Sequence, residues 1–401
     1  MPFPNDSEFI CVDRCDDPLY AEALAWVDDT RMVAFISEEE RVSVDPRVKI
    51  YHLETPLQLD GFIKQIAWSA VLRKMTAFGE IKERVEECHL AANLILAEAS
   101  DLSVKILQNA RANCQLYHHG LDLKGAFTHI PAIIVGAGPS LEKNRHLLKE
   151  FERKALIFAG GSALNLLNVE PHFAAAIDAT VPLKANPFPK TPFCYQARMH
   201  PANLSLMQGE RLLFPDQFSD PINWIHGEEF FDSGWTVGTF LMAIALHMGC
   251  SPIVLVGMDF CYAEGKKYAH GTVQGGSQPD WLLAAKWIER HPFINATEGG
   301  ILQLPAEKLE TVLQQCTVER DLRAQVHRAI QNLPLHSSMG RWKEWDASLQ
   351  RLEEGDIVYE KLLLPLWQVW KPIFEREDPK QNMELHRLLF FQRVLEEHAL
   401  S

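Results

Sequence analysis

The run Pro131-Ala-Ile-Ile-Val-Gly-Ala-Gly-Pro-Ser-Leu-Glu-Lys-Asn144 constrains the fold of this chain more than any other stretch. An apolar, β-branched segment stops at Gly136-Ala137-Gly138, and Pro139-Ser140 then opens a helix. Glycine lets a backbone turn sharply and approach a ligand closely. Proline suits the first helical position, where its missing N–H costs nothing. The free amides and the dipole at a helix start attract anions, phosphate above all. The expectation is a strand–turn–helix unit that binds a nucleotide or another phosphorylated small molecule. A glycine turn without a ligand is the plainer alternative.

The same residues disfavour the commonest form of such a site. A dinucleotide fingerprint needs a glycine three residues after Gly138, where Leu141 stands. It also wants an acidic residue after the next strand, but Ala155-Leu-Ile-Phe-Ala159 runs into Gly160-Gly161-Ser162. No G-x-x-x-x-G-K-[ST] pattern occurs. NAD, FAD and P-loop chemistry are therefore disfavoured.

With 401 residues the chain can hold two or three domains. A formal net charge of −14 argues against a general binder of nucleic acid or anionic membrane. No apolar run approaches the length of a membrane span, and no secretory signal is visible at the start, so a cytoplasmic protein is expected. The eight cysteines are scattered without a C-x-x-C pair, which reads as reduced thiols, neither a zinc module nor a disulfide framework. His118-His119 has no acidic or cysteine partners nearby and reads as a surface pair.

Three regions are expected. Residues 1–127 form an N-terminal α/β region, with strands over Arg31–Ile36 and Val48–Leu53, a helical pattern from Leu57 to about Asn113, and a linker over Gly120–His129. Residues 128–305 alternate strand and helix. Ile133–Val135, Leu156–Phe158, Phe173–Ile177 and Ile253–Val256 read as buried parallel strands of a doubly wound α/β sheet. Ligands bind such sheets at the carboxyl ends of the strands. That places Gly136, Gly138, Pro139, Ser140, Gly161, Ser162, Asp178 and Asp259 on one rim. Residues 306–401 read as helical, with Trp342, Trp345, Trp367 and Trp370 at helical spacing. A buried bundle or a dimer face explains these tryptophans better than a ligand cage.

Further polar groups cluster near the rim. Asp232-Ser-Gly-Trp-Thr-Val-Gly-Thr239 precedes an apolar helix, which puts Ser233, Thr236, Gly238 and Thr239 at a second anion-ready helix start. Taken alone, capping is the better account of those hydroxyls. Asp178 and Asp259 could each hold a ribose hydroxyl or a divalent metal, or cap a turn. The loop Glu264–Ser277 has the composition of a lid, and His270 is its best general-base candidate because imidazole titrates near neutrality. A surface histidine in a loop is the plainer explanation. Phe293-Ile-Asn-Ala-Thr-Glu-Gly-Gly300 reads as a strand end and turn.

Five of these segments, in order, resemble the MptE-like domain: Ile-Ile-Val-Gly-Ala-Gly-Pro-Ser-Leu-Glu-Lys-Asn, Ile-Asp178, Ser-Gly-Trp-Thr-Val-Gly-Thr, Leu-Val-Gly-Met-Asp-Phe and Asn-Ala-Thr-Glu-Gly-Gly. Archaeal 6-hydroxymethylpterin diphosphokinases and bacterial motility-associated factor (Maf) proteins share that domain. The resemblance implies a Rossmann-like core similar to that of sialyltransferases. Its Maf branch, which carries extra regions on both sides of the core as this chain does, implies transfer of a nonulosonic, sialic-acid-like sugar from a CMP-sugar to flagellin or another protein or glycan hydroxyl. On that reading the CMP phosphate rests on the amides of Gly138–Ser140, helped by Ser233, Thr236 and Thr239. Asn165 and Asp178 contact the base or ribose, His270 deprotonates the acceptor, and no cofactor is required. The archaeal branch implies a diphosphokinase that uses ATP with Mg²⁺ held through Asp178 or Asp259. A nucleotide-binding scaffold without catalysis, or a homo-oligomer joined through the C-terminal helices, is also compatible with the chain.

Overall fold

The computed structural model describes residues 9–12, 18–28, 31–37, 42–43, 45–52, 58, 75–78, 82–114, 116–217, 220–227, 230–261, 277–351, 355–367, 371 and 382–399. Two compact units divide the chain: Met1–Asp101 with Pro372–Pro379, and Leu102–Lys371 with Lys380–Ser401.

The first unit holds strands β1 (Phe9–Val12), β2 (Met32–Ser37), β3 (Val48–His52) and β4 (Met75–Phe78), paired in parallel in the order β3-β2-β1-β4. Helix α1 (Tyr20–Trp26) buries Ala23 and Trp26 in a small core with Ile10, Val12, Val33 and Phe35. The sequence pattern finds β2 and β3 but extends a helix from Leu57 through β4. Met75–Phe78 is instead extended because it pairs with β1, and Lys82–Ala112 forms helix α2. Residues 59–74 lie outside the described residues.

The second unit is built on eight parallel strands: β5 (His118–His119), β6 (Ala132–Val135), β7 (Leu156–Gly160), β8 (Phe173–Ala176), β9 (Phe193–Gln196), β10 (Arg211–Phe214), β11 (Ile253–Val256) and β12 (Ile294–Asn295). Their order is β12-β11-β6-β7-β8-β9-β10-β5. The α/β class and the mostly parallel sheet expected from the sequence are both present. Strands β6, β7, β8 and β11 are buried along their whole length, as continuous apolar runs in a covered parallel sheet should be. Phe158 on β7 stacks on Phe173 of β8 at 4.9 Å, and Phe173 meets Phe127 edge-on at 5.8 Å. Each ring so buried contributes about 1.5–3 kcal/mol of hydrophobic free energy.

Gly120–His129 is not the linker expected from the sequence. Leu123 and Phe127 are buried, and the amides of Gly125, Phe127 and His129 donate to the carbonyls of His247, Met248 and Gly249. The segment therefore seals the end of helix α5 (Val237–His247), which crosses the sheet with eight buried residues.

Other helices of this unit are α3 (Leu141–Asn144), α4 (Asp220–His226), α6 (Pro279–Glu289), α7 (Leu309–Gln315), α8 (Leu322–Gln331), α9 (Met339–Arg351) and α10 (Met383–Ala399). The C-terminal region is helical as expected, with a π-helical turn at Tyr359–Leu363. Trp342 and Trp345 of α9 are buried. Trp345 lies 6.5 Å from Trp224 of α4, and the Arg111 guanidinium sits over Trp342 at 4.8 Å. These tryptophans pack α9 onto its own chain; Trp370 is outside the described residues. Among the described residues no helix is long and apolar enough to cross a membrane, and no cysteine is part of a disulfide.

Candidate functional site

The strand order reverses between β6 and β11. From β6 the chain steps through β7 to β10 on one side, then returns to lay β11 and β12 on the other. A crevice at the carboxyl ends of the strands opens at such a reversal. Both glycine turns singled out from sequence fall there.

Gly136 and Gly138 follow β6, and Gly257-Met258-Asp259 follows β11. The Gly136 amide donates to the Val256 carbonyl at 2.8 Å and the Gly138 amide to the Gly257 carbonyl at 2.9 Å. A Cβ at Gly136 would lie 2.8 Å from the Met258 sulfur and 2.9 Å from the Gly257 carbonyl carbon. Gly257 adopts φ +69°, which favours glycine. The glycines are thus needed by the close approach of two turns. Gly136 to Pro139 stay half-buried, whereas Ser140 is buried.

Asp259 fills the start of α3. Its carboxylate accepts the Ser140 hydroxyl at 2.7 Å and the Ser140 amide at 3.3 and 3.4 Å. It is 3% exposed. Burial pushes its pKa up, opposed by the Ser140 hydrogen bonds and by Lys143. The donors expected to hold a phosphate at Ser140 are therefore occupied by a carboxylate of the chain itself.

The turn Asn295–Gly300 closes over this pair. Thr297 accepts the Met258 amide at 3.2 Å, and Asn144 donates to the Ala296 carbonyl at 3.1 Å. Lys143 donates to the Glu298 carbonyl at 2.8 Å. A Cβ at Gly299 would stand 3.0 Å from an Asp259 oxygen.

The second helix start lies one side chain away. A Cβ at Gly238 would be 3.0 Å from the Met258 sulfur, the same atom that crowds Gly136. Met258 therefore bridges the first glycine turn and the N-terminus of α5. Gly160, at the end of β7, packs under Val237, and Gly161 (φ +55°) beside it.

The hydroxyls of this start are used internally. Thr236 accepts the Thr239 amide at 3.2 Å, while Thr239 accepts the amides of Thr236 and Trp235, each at 2.9 Å. This capping box explains both threonines, as the plainer account held. Ser233 accepts from Gln196 at 3.1 Å, and its amide donates to Gln217 at 2.9 Å. Thr239→Val should leave two amides without an acceptor and cost about 1–2 kcal/mol, read by denaturant unfolding.

The remaining candidates spread along the rim. Asp178, exposed just past β8, turns its Oδ1 back to the amides of Thr180 and Val181 at 2.8 and 2.9 Å. Ser162 and Asn165 are exposed on the 3-10 helix Gly161–Leu166 after β7. His270 and its loop, residues 262–276, lie outside the described residues. Among the described residues no group of three His, Cys, Asp or Glu is placed to hold a metal ion. Gln196 and Gln217, which fix Ser233, escaped the sequence reading; a glutamine inside an apolar strand was the available signal.

Sheet order and rim together define a parallel α/β protein with a glycine-lined crevice at its strand reversal. Residues 105–265, which contain both glycine turns, match the family model described as 6-hydroxymethylpterin diphosphokinase MptE-like. The resemblance to the MptE-like domain thus holds over that stretch. The fold is similar to that of the Maf glycosyltransferase from Magnetospirillum magneticum AMB-1, with TM-score 0.56 and 16% identity over 86% of this chain. The chain spans 65% of the length of that protein, and the likeness is one of fold. No curated protein matches the chain in sequence.

Proposed function

We propose that this chain is a nucleotide-sugar-dependent glycosyltransferase of the Maf type, which moves a nonulosonic sugar from a CMP-sugar to a protein or glycan hydroxyl. The carrying observation is the meeting of two glycine turns and the start of α5 around Met258 at the strand reversal. The Maf-like fold supports the same class.

In this reading the donor phosphate lies beside Gly136–Pro139 against the first turn of α5, whose dipole and leading amides favour an anion. The bond from the sugar's anomeric carbon to the phosphate oxygen breaks, and CMP leaves with the electron pair. Preorganised amides stabilise the charge that grows on that phosphate. The acceptor oxygen bonds to the anomeric carbon, and its proton passes to His270. Asp259 acts by holding Ser140, and so the turn, in place. Asn165 and Asp178 address the base or ribose. The reaction so drawn needs no metal.

The matched family's description supports a second reading, a Mg²⁺- and ATP-dependent diphosphokinase. Asp259 fits a magnesium site poorly, because both its oxygens face Ser140.

A thermal-shift panel of CMP, CDP, UDP, GDP, ATP and ATP with Mg²⁺ separates the readings. CMP should stabilise the protein without metal, by about 2.7 kcal/mol at a hundred times its Kd. A response to ATP with Mg²⁺ alone would establish the diphosphokinase instead. Silence toward every nucleotide would leave a scaffold protein.

A further inference from the structure

Helix α2 ends in two buried amides one turn apart. Asn109 is 5% exposed and Asn113, just past the helix end, is fully buried. Asparagine is a poor helix former, and burying a primary amide is costly unless its hydrogens are bonded. Here both hydrogens of both amides are used. Asn109 Nδ2 donates to the carbonyls of Ala179 and Arg198, each at 2.9 Å. Asn113 Nδ2 donates to those of Ala197 at 2.8 Å and Met199 at 2.6 Å. All four acceptors are backbone carbonyls, which fixes the orientation of each amide.

The four carbonyls belong to two loops, one directly past β8 and one directly past β9. These loops lie on the carboxyl edge of the sheet, on the β7 side of the strand reversal. They are also joined to each other, since the His200 amide donates to the Asp178 carbonyl at 2.8 Å. Ala179, held by Asn109, sits inside the turn that Asp178 caps with Oδ1. That cap engages one carboxylate oxygen. The other takes no part in the turn, on an exposed residue at the rim.

We propose that Asn109 and Asn113 are positioning residues for the nucleoside half of the donor: they lock the two loops so that Asp178 presents its second oxygen to a ribose hydroxyl. The inference rests on the CMP-sugar reading. It adds a division of labour to that reading. The turns at the reversal address phosphate, and the asparagine clamp fixes the part of the rim that addresses sugar and base. Aspartate at either position would set an oxygen against two carbonyls, so the amide is required.

The test is a double-mutant cycle on the full chain, with CMP affinity measured by calorimetry for wild type, Asn109→Ala, Asp178→Ala and the double variant. Each single change should weaken CMP about tenfold, the worth of one hydrogen bond. The double variant should be no weaker than the singles, because the clamp acts through Asp178. A purely structural clamp gives independent losses of about a hundredfold in the double variant, which overturns the proposal. Unchanged affinity in Asn109→Ala overturns it too. Asn113→Ser serves as the clamp variant should Asn109→Ala fail to fold. Wild-type protein that ignores CMP would strike down the donor reading itself, a failure visible in the first arm alone.

Discussion

Gly138→Ala is expected to destabilise the protein by about 2 kcal/mol and to abolish its response to CMP. The added Cβ would stand 2.6 Å from the Asp259 carboxyl carbon and 2.7 Å from the Gly257 carbonyl oxygen. Neither atom is free to give way. The carboxylate is bonded to Ser140 and faces Gly299 on its other flank. The Gly257 carbonyl accepts the Gly138 amide. The methyl group must therefore prise the turn after β6 from the turn after β11, which dismantles the crevice at the strand reversal. Denaturant unfolding and the thermal shift with CMP read the two effects. A variant with wild-type stability and an intact CMP shift would show that the crevice does not depend on this contact.

Acid should unfold the second unit well before its carboxylates are exhausted. His172 and His226 both have pKa values of about 3, chiefly because burial disfavours the imidazolium. Arg323 adds to the effect at His172 and His119 to that at His226. His172 Nδ1 accepts the Ile157 amide at 3.0 Å, so a proton there would oppose an N–H donor. His226 Nδ1 lies 3.1 Å from the Tyr117 hydroxyl. In the unfolded chain both rings titrate near 6.5, so between about pH 6.5 and 3 the unfolded state binds more protons. Stability is full above that window and falls as the pH drops through it, by about 5 kcal/mol for each ring. Two such losses rival the whole stability of a typical domain. Urea midpoints measured from pH 7 to 4 should fall steeply, and His172→Gln should flatten the slope. A midpoint unchanged down to pH 4 would contradict the burial of both rings.

The two turns at the strand reversal were legible because each carries a local signature, whereas the strand order itself was not. Gly136-Ala-Gly-Pro-Ser140 and Gly257-Met-Asp259 each end an apolar run that can only be a buried strand. Strands β9 and β10 were not legible. Phe193-Cys-Tyr-Gln196 and Arg211-Leu-Leu-Phe214 are too short to show a period, and only pairing to their neighbours extends them. The helix start at α5 was placed correctly, and its threonines turned out to serve the cap. What no local pattern could reveal is that Asp259 reaches across 119 residues to Ser140, or that Asn109 reaches across 70 to Ala179. Such contacts arise when the sheet brings distant loops to one edge. His270 remains the general base proposed from composition alone.

The two-residue strands at the margins of the large sheet also limit how this protein can meet another chain. Beyond β5 the next backbone contact is the antiparallel bridge from Tyr117 to His336, and beyond β12 it is the parallel bridge from Asn295 to Ala306. Each margin is thus covered by the chain's own later segments, which denies an incoming peptide the row of open amides and carbonyls that strand addition requires. On the proposed glycosyltransferase reading, a polypeptide acceptor would then not be threaded alongside this sheet. It would arrive from above, over the loops at the carboxyl ends, and offer its hydroxyl as a single protruding side chain. Selection among acceptors would fall to the shape of those loops.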